Sequence, residues 1–479
     1  MSHSSPLAAA TPRWDARTWA LLMVLCGVLF LDGLDVSMVG MALPSIRAEL
    51  GLSTSQLQWV VSGYVLGYGG LLLLGGRAAD LLGRRRVLLV ALSVFVAASA
   101  VGGLVNDGTL LVITRLLKGM SAAFTAPAGL SIITTTFAEG PDRNRALSIY
   151  TAFGASGFSF GLVFGGLLTE LGWRWTFLLP VPIALAVLLV ARRVVPRDPP
   201  VAAENRRYDV AGAVTITAAM LLLVRTVVEA PDTGWAAAET LGAFALVIAL
   251  LGAFVTIELR SANPLVRLGI LRSSSLVRAN LGAMVLFGAY VGFQFLVTLY
   301  TQAALGWSPL ETALAFLPAG VLVAIGSPRI GPLVDRFGTQ RIIAVGMAAT
   351  VIGYALFLRI DETPAYVVVM LPTILLLGIG FATCFPSLNI QATAGVANHE
   401  QGLASGLVNT SFQLGGAIVL AVVTAVAGGQ PTGAVEPSAM LDDFRPAFMV
   451  VAGVALLGLA VAVSGLVARR EPQPALAEG

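Results

Sequence analysis

Long apolar segments follow one another along almost the whole of this chain and constrain its fold more than any other feature. Of the 479 residues, 57% are hydrophobic and 11% are charged, whereas a soluble domain has about 25% charged residues. A helix of about 20 apolar residues crosses the hydrocarbon layer and satisfies its own backbone hydrogen bonds. The sequence therefore predicts an all-α integral membrane protein with fourteen transmembrane helices. The predicted spans are 18–44, 56–79, 87–105, 109–134, 145–169, 173–194, 208–229, 236–257, 277–303, 309–333, 341–359, 364–389, 402–427 and 446–468.

One pattern occurs twice, at 76–86 and at 331–341, each time near the junction of two predicted spans. Both copies read G-x-x-x-D-x-x-G-x-x-R, and such an internal repeat indicates a transporter built from two related halves. The acid can cap the next helix or pair with arginines of its own half. The fixed positions, together with Arg84, are Gly76, Asp80, Gly83, Arg86, Gly331, Asp335, Gly338 and Arg341.

The copies follow the second and the tenth predicted span, so the simplest arrangement is two six-helix bundles separated by two inserted helices. The predicted segments are a cytoplasmic tail at 1–17, a bundle at 18–194, a linker with two extra transmembrane helices at 195–276, a bundle at 277–468 and a cytoplasmic tail at 469–479. With fourteen spans, most of the 29 Lys and Arg residues lie on the side of the two termini, which is the bias typical of cytoplasmic loops. Ala8-Ala9-Ala10 precedes the first apolar segment, the reverse of a cleavable signal peptide, so we expect the first span to remain.

Among the charged residues inside predicted spans, four are candidates for function: Asp32 and Asp35 in the first span, Arg115 and Lys118 in the fourth. Each charge costs about 2.5–3.5 kcal/mol at the middle of a bilayer. A rise of about 1.5 Å per residue places all four between the middle of the membrane and its outer half. Each pair is spaced i, i+3 and shares one helix face, so we expect one charged cluster. It is either a static salt bridge or a proton site in which Asp35 is the carrier and Asp32 shares its proton.

Several function classes are excluded by the residues that the chain lacks. Lys118 is its only lysine and follows Leu117 inside a span, so a phosphate-binding loop is absent and an ion gradient remains as the driver. We therefore expect no cofactor. Two cysteines and two histidines supply neither a metal site nor a catalytic constellation, so we expect no enzyme. Basic runs with interleaved aromatic residues are absent, and nucleic acid is not an expected partner.

Aromatic and amide side chains in the later spans are candidates for a substrate pocket, because an apolar cavity with few polar groups suits lipophilic ligands. They are Tyr290, Phe293, Gln294, Phe385, Asn389, Asn409 and Gln413. Packing against neighbouring helices is the alternative role of the aromatic members.

In the fifth span, glycines at every fourth position allow two helix backbones to approach closely. These glycines, with the residue that follows the last, are Gly157, Gly161, Gly165 and Gly166.

Further motifs accompany the repeated loop. Residues 34–37 and 42–44 read L-D-V-S and A-L-P, residues 115–119 read R-L-L-K-G, and residues 173–177 read W-R-W-T-F. On these motifs the chain resembles the major facilitator superfamily, and within it the fourteen-span drug:proton antiporter branch. The branch's fifth-span motif has a proline where this chain has Leu162.

The resemblance implies two six-helix bundles plus two inserted helices, and proton-coupled export of hydrophobic small molecules by alternating access. It implies Asp35 as the motif's proton residue and the repeated loops as a gate that opens and closes as the halves rock. We expect the protein to be a monomer in a bacterial plasma membrane and to exchange a lipophilic substrate for protons. An uptake symporter for a small nutrient and a non-transporting membrane sensor are the alternatives.

Overall fold

A computed structural model describes residues 14–52, 54–197, 209–261, 268–361, 364–396, 401–427 and 437–468, and every regular element in these ranges is helical. The two predicted tails lie wholly or mostly outside the described residues. The helices are α1 Ala16–Leu50, α2 Thr54–Leu82, α3 Arg84–Gly102, α4 Gly108–Thr136, α5 Pro141–Leu171, α6 Trp175–Leu178, α7 Pro180–Val194, α8 Val210–Thr233, α9 Ala238–Arg260, α10 Ser274–Leu299, α11 Pro309–Gly326, α12 Ile330–Phe337, α13 Thr339–Phe357, α14 Leu371–Thr393, α15 Gln401–Val426 and α16 Pro437–Ala468.

Fourteen apolar stretches account for these helices, as the sequence predicts. Within the described residues, twelve stretches are long and apolar enough to cross a membrane, with α6–α7 forming one of them and α11–α12 another. Shorter apolar stretches, Trp59–Leu72 in α2 and Ala211–Val227 in α8, supply the remaining two. The prediction of an all-α membrane protein with fourteen helices is therefore confirmed.

Close helix pairs build each half of the molecule. In the first half α1 packs lengthwise on α5 and α2 on α4, while in the second half α10 packs on α15 and α13 on α14. The halves meet where α5 contacts α11 and α12, and where α2 contacts α15. The helices of one half therefore reach the other half along two separate seams.

The inserted pair lies beside one of these seams. Helix α8 packs against α2 of the first half and α15 of the second, and α9 packs mainly against α8. Leu221 of α8 lies directly over Gly70 of α2, where a side chain larger than hydrogen would overlap it. The inserted helices thus contact both halves rather than extending one of them.

The second glycine of each repeated loop makes the same sharp turn between two helices. Gly83 separates α2 from α3 with φ +93°, and Gly338 separates α12 from α13 with φ +82°. These backbone angles are open to glycine and disfavoured for residues with a Cβ. The repeat therefore encodes a turn, and we call the end of the molecule that carries Gly83 and Gly338 the loop face.

We predict that Gly338→Ala destabilises the protein by about 1–3 kcal/mol, because the alanine must adopt a backbone conformation that is nearly restricted to glycine. The apparent unfolding temperature of the purified protein in detergent measures this loss. Gly453→Ala is the matched control, because Gly453 lies within α16 and its added Cβ meets nothing within 4 Å. Equal unfolding temperatures for the two variants would contradict the assignment of strain to the turn.

Candidate proton and substrate site

A buried ion triad joins the first and fourth helices. The Asp35 Oδ2 atom accepts a hydrogen bond of 2.6 Å from Arg115 Nη1, and its Oδ1 atom accepts one from Lys118 Nζ. All three side chains are at most 2% exposed. Three of the four charged residues predicted at one depth therefore lie together. Both cations, Arg115 and Lys118, bond to the carboxylate of Asp35.

Neighbouring helices enclose the two cations with aromatic faces and one carbonyl oxygen. Arg115 Nε donates to the Val60 carbonyl of α2 at 3.0 Å, and its guanidinium lies 4.6 Å from the Tyr64 ring centroid. Lys118 Nζ lies 4.8 Å from the ring centroid of Phe95 and 5.1 Å from that of Phe177. Cation–π contacts of this kind are stronger when both partners are desolvated, so α2, α3 and α6 all help to hold the charges inside the bundle.

Asp32, the fourth charge, has a different environment. It is 5% exposed, and its Oδ2 atom accepts a hydrogen bond of 3.2 Å from the Thr125 hydroxyl of α4. In the described part of the chain it forms no ion pair, whereas Asp35 forms two. Removing one partner from a buried ion pair costs about 3–5 kcal/mol, since it leaves an uncompensated charge. Asp35 is therefore held by two cations, whereas the hydrogen-bond partner of Asp32 is a neutral hydroxyl group.

Glycines bring the backbones of the site helices into contact. A Cβ on Gly119 would overlap the Tyr64 carbonyl oxygen of α2, and a Cβ on Gly157 would overlap the Phe30 carbonyl oxygen of α1. A Cβ on Gly161 would lie 2.5 Å from the Leu34 oxygen, and one on Gly165 would lie 2.8 Å from the Met38 Cα. The glycine row of the fifth span thus faces the helix that carries both acids, while Gly166 is buried in α5.

Leu162 stands where the related fifth-span motif has proline. It is 3% exposed and belongs to an apolar cluster with Met41 of α1 and with second-half residues such as Ala289. Helix α5 runs from Pro141 to Leu171. The leucine keeps a backbone N–H that proline lacks and adds an apolar contact between the halves.

The loop face holds a direct contact between the halves. Asn144 Nδ2 of α5 donates to Asp335 Oδ1 of α12 at 2.6 Å. The backbone of Gly331 lies against Asn144 and Ser148, and a Cβ added at this glycine would lie 3.3 Å from the Asn144 carbonyl oxygen. Glu139 accepts a hydrogen bond of 3.2 Å from the Gly395 N–H of the second half. The second copy of the repeat therefore closes the loop face against α5.

The first copy of the repeat makes contacts within its own half. Arg84 Nη1 donates to the Thr135 hydroxyl at the end of α4, at 3.0 Å. Gly76 is buried in α2, Arg86 and Arg341 are exposed, and Asp80 lies in α2 with its side chain outside the described residues. The two copies thus share a turn, and among their described side chains Arg84 bonds within its own half while Asp335 bonds across to α5.

An aromatic row crosses from the first half into the second. The centroid of Phe158 in α5 lies 5.8 Å from Tyr290 in α10, which lies 5.3 Å from Phe381 in α14. Phe381 stacks on Phe385 at 5.2 Å, and Phe385 contacts Phe412 of α15 at 4.8 Å. Sequence reasoning missed Phe158 and Phe412, although Phe158 directly follows the first glycine of the fifth-span row.

The remaining pocket candidates divide between the halves' interface and the interior of the second half. Phe293 is 1% exposed and packs among Tyr354, Phe357 and Phe448 inside the second half, so in this conformation it lies away from the interface between the halves. Gln413 lies beside Gly69 of α2, on the seam between the halves. The amides of Asn389 and Asn409 donate to carbonyl oxygens one turn earlier, and Gln294 is half-buried in α10.

At the opposite end of the first half, a polar clamp fixes the start of the sixth span. Arg174 pairs with Glu49, and Trp173 Nε1 donates to the same carboxylate at 2.8 Å. The hydrogen bond from Arg174 holds the pKa of Glu49 below its ordinary value of 4.5. The W-R-W motif pointed to this segment, but its acidic partner lies 124 residues away and had no sequence signal.

We predict that this clamp stabilises the protein at neutral pH and is lost in acid. Because the folded-state pKa of Glu49 is lowered, its stabilisation is full above 4.5 and disappears as the pH falls through the folded value. The difference in unfolding temperature between the wild type and Glu49→Gln should be constant from about pH 6 to 8 and should shrink in acid. Glu170→Gln, an exposed acid of α5, is the control. A difference that grows in acid would contradict the clamp.

Residues 25–420 match the family described as Major Facilitator Superfamily. The chain is 37% identical over 430 residues to the puromycin resistance protein pur8 of Streptomyces alboniger, covering 88% of this chain and 84% of that protein. It is 37% identical over 458 residues to the cephamycin export protein CmcT of Amycolatopsis lactamdurans, covering 95% and 93%. It is 33% identical to the lincomycin resistance protein of Streptomyces lincolnensis, covering 94% and 91%.

Solved structures share the same fold at low sequence identity. The human organic anion transporter MFSD10 aligns with a TM-score of 0.67 and 16% identity, covering 94% of this chain and 100% of that chain. The proton:xylose symporter XylE aligns with a TM-score of 0.64 and 16% identity, covering 93% and 95%. The family match, the relatives and the helical architecture agree with the resemblance found in the motifs: this chain is a multi-pass membrane transporter of the major facilitator superfamily and not an enzyme.

Proposed function

We propose that this protein exports hydrophobic small molecules, antibiotics among them, across a bacterial plasma membrane in exchange for protons. The similarity to proteins named for puromycin resistance and cephamycin export carries the proposal, because it extends over most of each chain. The buried ion cluster supports the coupling, since intramembrane ionisable residues of transporters commonly serve ion pathways. We propose a monomer that needs no cofactor and has both termini in the cytoplasm.

The contacts of the loop face support an alternating-access cycle. In this conformation Asn144 and Asp335 join the halves at that face, and Ile330 and Val334 of α12 belong to the apolar core of the first half. If this face is cytoplasmic, the structure represents a state closed to the cytoplasm. Rocking the halves apart must break these contacts, and substrate then enters between them.

The aromatic row supports the substrate class. Tyr290, Phe381 and Phe385 present ring faces and edges from two helices of the second half, and Phe158 extends the row into the first. A wall of aromatic rings accepts apolar and aromatic ligands through area burial and ring contacts, which give about 0.5–1.5 kcal/mol per pair beyond burial. Such a wall favours lipophilic molecules of varied shape over small polar nutrients.

Proton-coupled export is tested in inside-out vesicles that respire and contain a pH-sensitive dye. Added puromycin should make the acidic lumen more alkaline, because substrate entry is exchanged for proton exit. Vesicles with the double variant Asp32→Asn/Asp35→Asn, produced at the same level, are the control and should show no change. Puromycin accumulation in energised right-side-out vesicles would instead indicate an uptake symporter, and binding without flux in either orientation would indicate a sensor.

We predict that Asn144→Asp opens the loop face, because it places a second carboxylate against Asp335 where an amide now donates. A cysteine introduced at Ser148, which is fully buried beside Gly331, reports the opening through its reaction rate with a water-soluble maleimide. Asn144→Asp should raise this rate, and the compensated variant Asn144→Asp/Asp335→Asn should restore the slow reaction. An unchanged rate in Asn144→Asp would contradict a gate at this contact.

A further inference from the structure

The two acids of α1 differ in a way that the motif does not reveal. Asp35 lies between two cations and is fully buried, and its two carboxylate oxygens each accept a bond from one of them. Asp32 lies one turn earlier in α1 and receives one hydroxyl group, that of Thr125. A proton on Asp35 would leave Arg115 and Lys118 without their shared counter-ion, whereas a proton on Asp32 breaks no ion pair.

The charge balance of the cluster also depends on Asp32. Arg115 and Lys118 together carry two positive charges and Asp35 carries one negative charge. With Asp32 ionised the cluster is neutral, and with Asp32 protonated it carries one positive charge. One proton on this residue therefore changes the net charge of a site that α2, α3, α4 and α6 enclose.

The other titratable groups around Asp32 do not offer it a further cation. Within the described residues, the groups that act on it electrostatically are Asp35 of its own helix and Lys118 of α4, with Arg115 bound to Asp35 beside them. The phenols of Tyr64 and Tyr68 in α2 and of Tyr150 in α5 also interact with it. These phenols are neutral at physiological pH. The charged groups near Asp32 are therefore those of the Asp35–Arg115–Lys118 triad.

We infer that Asp32 takes up and releases the coupling proton, while Asp35 stays ionised as the shared counter-ion of Arg115 and Lys118. The inference rests on the proposed proton exchange and reverses the sequence-based expectation, which gave the proton to Asp35. In the inward-open state deprotonated Asp32 leaves the cluster neutral and substrate enters. In the outward-open state Asp32 takes a proton from outside, and the added positive charge favours release of substrate and return of the empty carrier.

The assignment is tested by infrared spectroscopy of the purified protein in lipid, followed through a pH titration. A buried protonated carboxyl has a C=O stretch that is separate from the carboxylate bands and identifies the group directly. We expect a titrating buried-carboxyl band in the wild type that Asp32→Asn loses. The variant Asp35→Asn/Lys118→Gln, which removes one charge of each sign, should retain the band.

The opposite pattern, with the band kept in Asp32→Asn and lost in the Asp35 variant, would overturn the inference. Absence of a titrating band in the wild type would overturn it as well. If Asp32→Asn does not fold, Thr125→Val serves instead. It removes the hydroxyl that bonds Asp32, so it should shift the frequency of the band, and an unshifted band would overturn the inference.

The spectroscopic result does not depend on transport. The band could belong to Asp32 while wild-type vesicles show no puromycin-dependent proton movement. That result would contradict the proposed function and support the assignment of the proton to Asp32. Puromycin-dependent proton movement with a band that belongs to Asp35 would support the proposed function and contradict the assignment to Asp32. In vesicles that transport, Asp32→Asn should lose uphill export and keep puromycin–puromycin exchange, which requires no net proton movement.

Discussion

Cations buried inside a membrane protein need a counter-ion, and Asp35 pairs with both Arg115 and Lys118. Neither cation is stable alone at this depth, because desolvation costs several kcal/mol per ion even after the surroundings relax. The carboxylate, the aromatic faces of Tyr64, Phe95 and Phe177, and the Val60 carbonyl together compensate for the lost water. This single arrangement brings together side chains from α1, α2, α3, α4 and α6.

Close backbone contact makes the arrangement possible. Because Gly119 and Gly67 let α4 lie directly on α2, and Gly157 and Gly161 let α5 lie directly on α1, the charged side chains can meet in the space between the pairs. Small residues bring membrane helices together in this way in the absence of a hydrophobic driving force. The second half repeats the device where Gly415 of α15 lies on the Met284 backbone of α10. Rigid pairs of this kind are suited to moving as bodies, which is what a rocking mechanism requires.

Much of this structure follows from the sequence, because span length, charge depth and the repeated loop are local signals. The spacing of Asp32, Asp35, Arg115 and Lys118 was sufficient to predict one cluster. Features that depend on the rotation of a helix about its axis were not predictable, because lipid-facing and core residues are both apolar. The packing of Phe293 inside the second half and the contacts of α8 with both halves therefore had no sequence signature. The partner of Asp335 is an uncharged Asn144 in another half, and a charge-based search could not find it.

In the proposed mechanism, substrate and proton compete through the charge of one buried cluster. Proton release on substrate binding measures this most directly, with purified protein in weakly buffered detergent, a pH indicator and saturating puromycin. The wild type should release protons on binding at a pH where Asp32 is partly protonated, and Asp32→Asn should bind puromycin and release none. Puromycin binding to the wild type without proton release at any pH in the stable range of the protein would contradict the account.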